Sequence, residues 1–269
     1  MKNCARLLAR TPERRYNRGR GTVKMQAYIR EIALLGEENF AKLRAARVAV
    51  FGIGGVGAFA AEALVRAGVG ALTFVDGDVV AESNLNRQLI ALHSTLGMNK
   101  AAAMRARALD IDPQCACEGI ERFYDENTAD SFDLSLFDYI ADCIDSVKSK
   151  VLLIARARAA GVPVISCMGA GNKLDGGAFQ VADIEKTREC PLAKIVRREL
   201  KKAGVTGVKA VFSEEKPRLP DRSGAAAGEK FIGSISFVPG AAGLLLAGEI
   251  VKDIAFGAAM RTAHCGDKK

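Results

Sequence analysis

No apolar run in this 269-residue chain is long enough to span a membrane, and none near its start could serve as a signal peptide. The longest candidate, 237–260, is interrupted by Glu249, Lys252 and Asp253, a spacing that predicts a buried or amphipathic helix. The chain also lacks any Cys-x-x-Cys pair, which removes the usual mark of a structural zinc site. Its seven cysteines (Cys4, Cys115, Cys117, Cys143, Cys167, Cys190, Cys265) are odd in number and scattered. A reducing compartment suits them better than a disulfide framework, so a cytoplasmic location is expected. There is no internal repeat.

Acid is nearly missing from the first 24 residues. They carry Lys2, Arg6, Arg10, Arg14, Arg15, Arg18, Arg20 and Lys24 against the single Glu13, which places +7 of the net +8 there and leaves the body almost neutral. Without an apolar period this head cannot contribute to a core. It reads as a disordered extension, or as sequence upstream of a true start at Met25. An RNA-contacting arm is a second reading, and its poverty in serine disfavours a transit peptide.

What remains, 25–257, is long enough for one large core, followed by a short tail, 258–269. From Arg47 onward, short apolar strands alternate with helical periods, the pattern of a largely parallel sheet. Strands are expected at 48–52, 71–75, 115–120, 139–143, 162–167, 179–184 and 208–212. Helices are expected at 55–67, 100–109, 147–160, 191–203 and 241–254. A polar loop at 77–97 is long enough to suggest function, and 216–230 reads as a mobile crossover.

The chemistry starts at Gly52-x-Gly54-Gly55-x-Gly57, between a strand and a helix. Such a turn lets backbone approach phosphate, and the helix start adds free N–H groups and a positive dipole end. Asp76, at the end of the next strand, can accept from ribose hydroxyls. These features fit a nicotinamide dehydrogenase as well as an ATP enzyme. Arg87 and Lys100 shift the balance, because nucleotidyl transfer develops charge on the α-phosphate and on departing pyrophosphate. Arg87 can fork across two phosphate oxygens, and Lys100 supplies a point charge. Asp142 and Asp145 lie at the C-terminal end of a strand, where α/β sites gather. Asp145 can hold magnesium or cap the following helix.

Several stretches together resemble the ThiF/MoeB/HesA superfamily of ubiquitin-activating-like adenylating enzymes, over about 28–254. They are Leu34-Leu-Gly-Glu-Glu38, the glycine turn, Asn84-x-Asn-Arg-Gln88, and Ser166-Cys-Met-Gly-Ala-Gly-Asn-Lys-Leu-Asp175. Val181-Ala-Asp-Ile-x-Lys-Thr187, Cys190-Pro-Leu-Ala193 and Gly233-Ser-Ile-Ser-Phe-Val-Pro239 complete the set. The later ones resemble the tRNA threonylcarbamoyladenosine dehydratase branch.

The resemblance implies an α/β fold: a Rossmann-like adenylating domain with a mostly parallel, mixed central sheet flanked by helices. It implies that ATP is bound by Gly52, Gly54, Gly55, Gly57, Asp76, Asn84, Arg87, Gln88 and Lys100. Asp145 then corresponds to the magnesium ligand, with Asp142 behind it, and Arg30 to an arginine that crosses a homodimer interface to the partner's ATP. The implied reaction is ATP-dependent cyclisation of threonylcarbamoyladenosine in tRNA, with AMP expelled from an acyl-adenylate. The alternative is an adenylyltransferase that activates the C-terminus of a ubiquitin-like sulfur carrier, although the missing Cys-x-x-Cys pairs count against it. Cys190, before a helix-starting proline, is either a nucleophile whose thiol the helix could acidify or a substrate-loop residue. Cys143 and Cys167 read as buried packing. Arg188, Lys194, Arg197, Arg198, Lys201 and Lys202 could meet tRNA or form a solvated face, and docking by a sulfur-transfer protein is left open.

Overall fold

The computed structural model describes residues 26–221 and 232–257. The basic head, the tail 258–269 and most of the crossover expected at 216–230 lie outside the described residues, as do Cys4 and Cys265.

The first strand, β1 (Arg47–Phe51), is apolar and fully buried over 48–51, the signature of a strand covered on both faces. β2 (Ala71–Val75) and β3 (Ala116–Ile120) extend the sheet on one side of it. β4 (Tyr139–Asp142), β5 (Val164–Cys167), β7 (Lys209–Ser213) and β6 (Phe179–Asp183) follow on the other. All neighbours are parallel except β6 and β7. The sheet is therefore mostly parallel and mixed, as expected.

One face is covered by α3 (Gly57–Arg66), α4 (Lys100–Ile111) and α7 (Val238–Phe256), which bury Leu64, Met104 and Leu246. The other carries α5 (Val147–Ala159) and α6 (Pro191–Lys202), which bury Leu153, Ile154, Val196 and Leu200. Because α3 follows β1 and α5 follows β4 on opposite faces, a crevice opens where those two strands meet at their C-terminal ends. Chain order reverses at that point, so the topology alone locates the site.

Several boundaries differ from expectation for local reasons. α3 starts at Gly57 rather than 55, because residues 52–56 are used by the glycine turn. β5 starts at Val164, after Pro163, whose carbonyl still accepts from the Ile140 N–H at 2.9 Å. α7 runs from Val238, with Pro239 in its first turn. Its charges are all used: Glu249 and Asp253 pair with Lys209 at 3.3 and 2.6 Å, and Lys252 pairs with Glu249. Among the described residues no helix is long and apolar enough to cross a membrane. The 77–97 loop contains two short 3₁₀ turns, Glu82–Asn84 and His93–Thr95.

Two helices preceding β1 were not anticipated: α1 (Ile29–Leu35) and α2 (Glu37–Ala45). Both are held by a buried polar knot. Asp112, after α4, accepts from the Tyr28 hydroxyl at 2.9 Å and pairs with Arg44 at 2.6 Å. Asp112 ties this N-terminal layer to the body.

Candidate active site

A cleft of about 900 Å³ lies over the β1–β4 junction. Gly52, Gly54, Gly55, Asp76, Arg87, Gln88, Lys100, Asp145 and Cys190 all line it, whereas Gly57, Asn84, Asp142 and Arg30 do not. The glycines serve two purposes. Gly52 has φ +86°, and a Cβ there would stand 2.7 Å from the Cys143 carbonyl oxygen; a Cβ on Gly57 would stand 1.8 Å from that of Gly52. These two shape the turn. A Cβ on Gly54 would meet nothing nearer than Gln88 Nε2 at 3.8 Å, so its openness serves whatever enters the cleft.

Asp76 braces the turn. Its carboxylate accepts from the Ile53 N–H at 2.6 Å and the Asp78 N–H at 2.8 Å. Burial pushes its carboxyl above the ordinary range, and those amides with the Lys100 charge offset this only in part. Lys100 opens α4 and is almost wholly buried, with its ammonium 2.9 Å from Asp78. Asn99 sets its aim. The Asn99 side-chain Oδ1 caps α4 by accepting from the Ala101 and Ala102 N–H groups, and its side-chain NH2 donates to the Asp76 and Asp78 carbonyls, both at 3.1 Å. Asp78 and Asn99 were not singled out from sequence; Asp78 is part of a plain Asp-Gly-Asp run until Lys100 is folded against it.

Arg87 Nη1 donates to the Ser83 carbonyl at 2.8 Å and to Asn86 Oδ1 at 2.9 Å, which fixes the guanidinium at the cleft edge. Asn84 instead organises the loop: it is buried, and its Oδ1 accepts from the Ala81 N–H at 3.1 Å. Gln88 is 8% exposed, and its Oε1 has no hydrogen-bond partner among the described residues. A buried amide oxygen without a partner is costly, and here it belongs to a cleft-lining side chain.

Asp142 lies beneath the site, fully buried. It pairs with Lys150, also 0% exposed, at 2.8 Å. The Lys150 ammonium also donates to Ser166 Oγ at 3.1 Å and to the Cys167 carbonyl at 3.0 Å, so its three hydrogens have three acceptors. Asp142 further accepts from Ser166 at 2.6 Å and from the Ile144 N–H at 3.1 Å. This network joins the ends of β4 and β5 and supports the turn carrying Asp145. Asp145 itself is exposed on the cleft wall, and the residue at the α5 cap is Ser146. Lys150 had escaped notice because its spacing reads as a surface position of a helix.

The opposite wall comprises residues 167–173 and 190–192. Cys190 is buried at the cap of α6, next to Pro191. Burial pushes the Cys167 thiol up to about 12 and raises Cys143 as well, which suits packing cysteines. Just before α6, Arg188 pairs with Glu214; along the helix, Arg197 is anchored to the Thr187 carbonyl and hydroxyl at 2.7 and 2.8 Å, and Arg198 and Lys202 share Glu199. Lys194 and Lys201 are exposed and have no ion pair among the described residues. Arg30 is exposed on α1.

Comparison with known proteins agrees with this geometry. The chain is 41% identical over 241 residues to the tRNA threonylcarbamoyladenosine dehydratase of Bacillus subtilis, covering 86% of this chain and 95% of that one. It superposes with a TM-score of 0.77 on the crystal structure of the Escherichia coli tRNA N6-threonylcarbamoyladenosine dehydratase TcdA in complex with ATP, at 32% identity and covering 90% and 97% of the two chains. Similarity to the molybdopterin-synthase adenylyltransferase of E. coli is 34% over 171 residues, 62% of this chain and 68% of that protein. A family model matches residues 28–263, and the chain belongs to the ThiF family.

Proposed function

We propose that this chain catalyses the ATP-dependent cyclisation of threonylcarbamoyladenosine in tRNA, by adenylating the substrate carboxylate and closing a ring with loss of AMP. One observation carries the reading: Arg87, Lys100, Asp76 and the open Gly54 line a single cleft, facing a second wall built from residues 167–173 and 190–192. A hydride-transfer site has little use for two cations beside its glycine turn. Transfer of an adenylyl group uses both, because negative charge grows on the α-phosphate and on the leaving pyrophosphate.

In this scheme Gly54 and Gly55 admit the phosphates and the N-terminal end of α3 faces them. Arg87 binds phosphate oxygens through donors left free by Ser83 and Asn86. Lys100 shares its ammonium between Asp78 and the nucleotide. Asp76 accepts from the ribose, Asn84 holds the loop that presents Arg87, and Gln88 offers its unpartnered oxygen to a ligand donor. Gly52 and Gly57 act by shaping the turn. The substrate carboxylate displaces pyrophosphate, and a ureido nitrogen then displaces AMP, so the protein needs no covalent nucleophile. Cys190 is assigned to the substrate wall.

Magnesium fits the residues present. Among the described residues no cluster of three or more His, Cys, Asp or Glu side chains could cage a metal, while Asp145 offers one exposed carboxylate beside the phosphate path. A single carboxylate suits a cation held mainly by phosphates and water. When bound, the ion neutralises phosphate charge. Arg30, exposed and absent from its own cleft lining, is assigned to the partner's site in a homodimer. Lys194, Arg198, Lys201 and Lys202 are assigned to tRNA backbone contact, and the location is cytoplasmic.

Pyrophosphate exchange tests the assignment against a sulfur-carrier substrate. Exchange should require tRNA bearing threonylcarbamoyladenosine and should not occur with a ubiquitin-like carrier protein; exchange supported only by the carrier would reverse the conclusion.

A further inference from the structure

The phosphates have cations in the proposed site, but the carboxylate to be adenylated has been given none. Lys173 is the cation on that wall. It lines the cleft and is 3% exposed. Its ammonium donates to the Glu215 carbonyl oxygen, a neutral acceptor. The Glu215 carboxylate is committed elsewhere, accepting from the Leu174 and Asp175 N–H groups at 2.9 Å each. Burial works against that carboxylate, yet the two amides and the nearby Lys173 charge hold it below its ordinary range. Among the described residues Lys173 forms no ion pair.

The backbone around Lys173 is fixed. Asn172 sits at φ +59°, in the left-handed region that asparagine enters more readily than other side-chain-bearing residues. It exchanges hydrogen bonds with Gly233 in both directions, each 2.7 Å, and its carbonyl accepts from the Arg218 N–H at 2.8 Å. Residues 172–175 are thus pinned between the two segments that flank 222–231. An ammonium held so rigidly, with one neutral hydrogen-bond acceptor and little solvent, keeps donors free for a further anion on the cleft wall.

We propose that Lys173 binds the carboxylate of the threonylcarbamoyl group and positions it for attack on ATP, an inference that rests on the function proposed above. One carboxylate oxygen is held by the ammonium. The other forms a bond to the α-phosphorus as the P–O bond to pyrophosphate breaks and its electron pair leaves with pyrophosphate. The held oxygen becomes the carbonyl oxygen of the acyl-adenylate. Charge collects on it when the ureido nitrogen attacks the adjacent carbon, and the same ammonium stabilises that charge. The C–O bond to AMP then breaks, AMP keeps the electron pair, and the nitrogen releases its proton to water.

Equilibrium binding with two tRNAs tests this, one bearing threonylcarbamoyladenosine and one with plain adenosine at the same position, alongside ATP titration. Wild type should prefer the modified tRNA by about tenfold or more, the range of a hydrogen bond between charged groups. Lys173→Gln can still donate to the Glu215 carbonyl but carries no charge. It should lose that preference and keep its affinities for plain tRNA and ATP, and Lys173→Met should do the same if it folds. A preference retained in Lys173→Gln overturns the proposal, as does equal weakening of ATP and both tRNAs, which would mark Lys173 as a latch. If wild type has no preference for the modified tRNA, the substrate assignment itself fails and this inference falls with it.

Discussion

Gly54 and Gly57 lie three residues apart in one turn and should respond in opposite ways to a single methyl group. At Gly57 the new Cβ would overlap the Gly52 carbonyl oxygen at 1.8 Å, an approach only a backbone shift can relieve. Gly57→Ala should therefore cost about 3 kcal/mol or more of stability, the upper range for overpacking. At Gly54 the nearest atom would be 3.8 Å away, so Gly54→Ala should stay within about 0.5 kcal/mol of wild type. It should nonetheless weaken ATP by roughly tenfold, since the methyl occupies space that backbone glycine leaves to phosphate. Thermal denaturation with ATP titration of both variants checks the pair. The motif G-x-G-G-x-G was legible in sequence, but the division of labour within it was not, because it depends on which carbonyl each glycine faces after folding. Lys100 repeats the lesson: its candidacy as a phosphate-facing cation was readable from spacing, while its pairing with Asp78 on the cleft wall was not.

The elements were legible where a burial period drives them. β1, β2 and β4 are short apolar runs between turn residues, and their expected and observed extents agree within a residue or two. α1 and α2 were missed because they are short, and because a buried polar knot of Tyr28, Arg44 and Asp112 helps to hold them. α5 hides the opposite error: Lys150 looks like a solvent-facing residue yet is fully buried against Asp142. Removing one partner of such a pair leaves an isolated buried charge. Lys150→Met should thus lower unfolding free energy by about 3–5 kcal/mol in denaturant titrations. Adding Asp142→Leu should recover much of the loss, because the stranded carboxylate is gone. A neutral single variant would contradict the network's role in joining β4 to β5.

Across the whole molecule the topology concentrates chemistry at one point. Strand order reverses between β1 and β4, the crevice opens there, and residues far apart in sequence converge from 52–56, 76–100, 143–149, 167–173 and 190–192. The half of the cleft assigned above to the nucleotide follows local motifs and was readable early. The half proposed for the acyl group depends on Lys173, Glu215 and Asn172 being tied together across more than forty positions, so no local pattern announces it. The proposed reaction needs both halves in one cleft, with the substrate supplying its own nucleophile. Mass analysis of tRNA nucleosides after incubation with ATP and magnesium tests that most directly. The wild-type protein should convert threonylcarbamoyladenosine to a product lighter by one water, and Arg87→Ala should slow the conversion at least tenfold. Unchanged threonylcarbamoyladenosine after incubation with folded, ATP-binding wild-type protein would contradict the account.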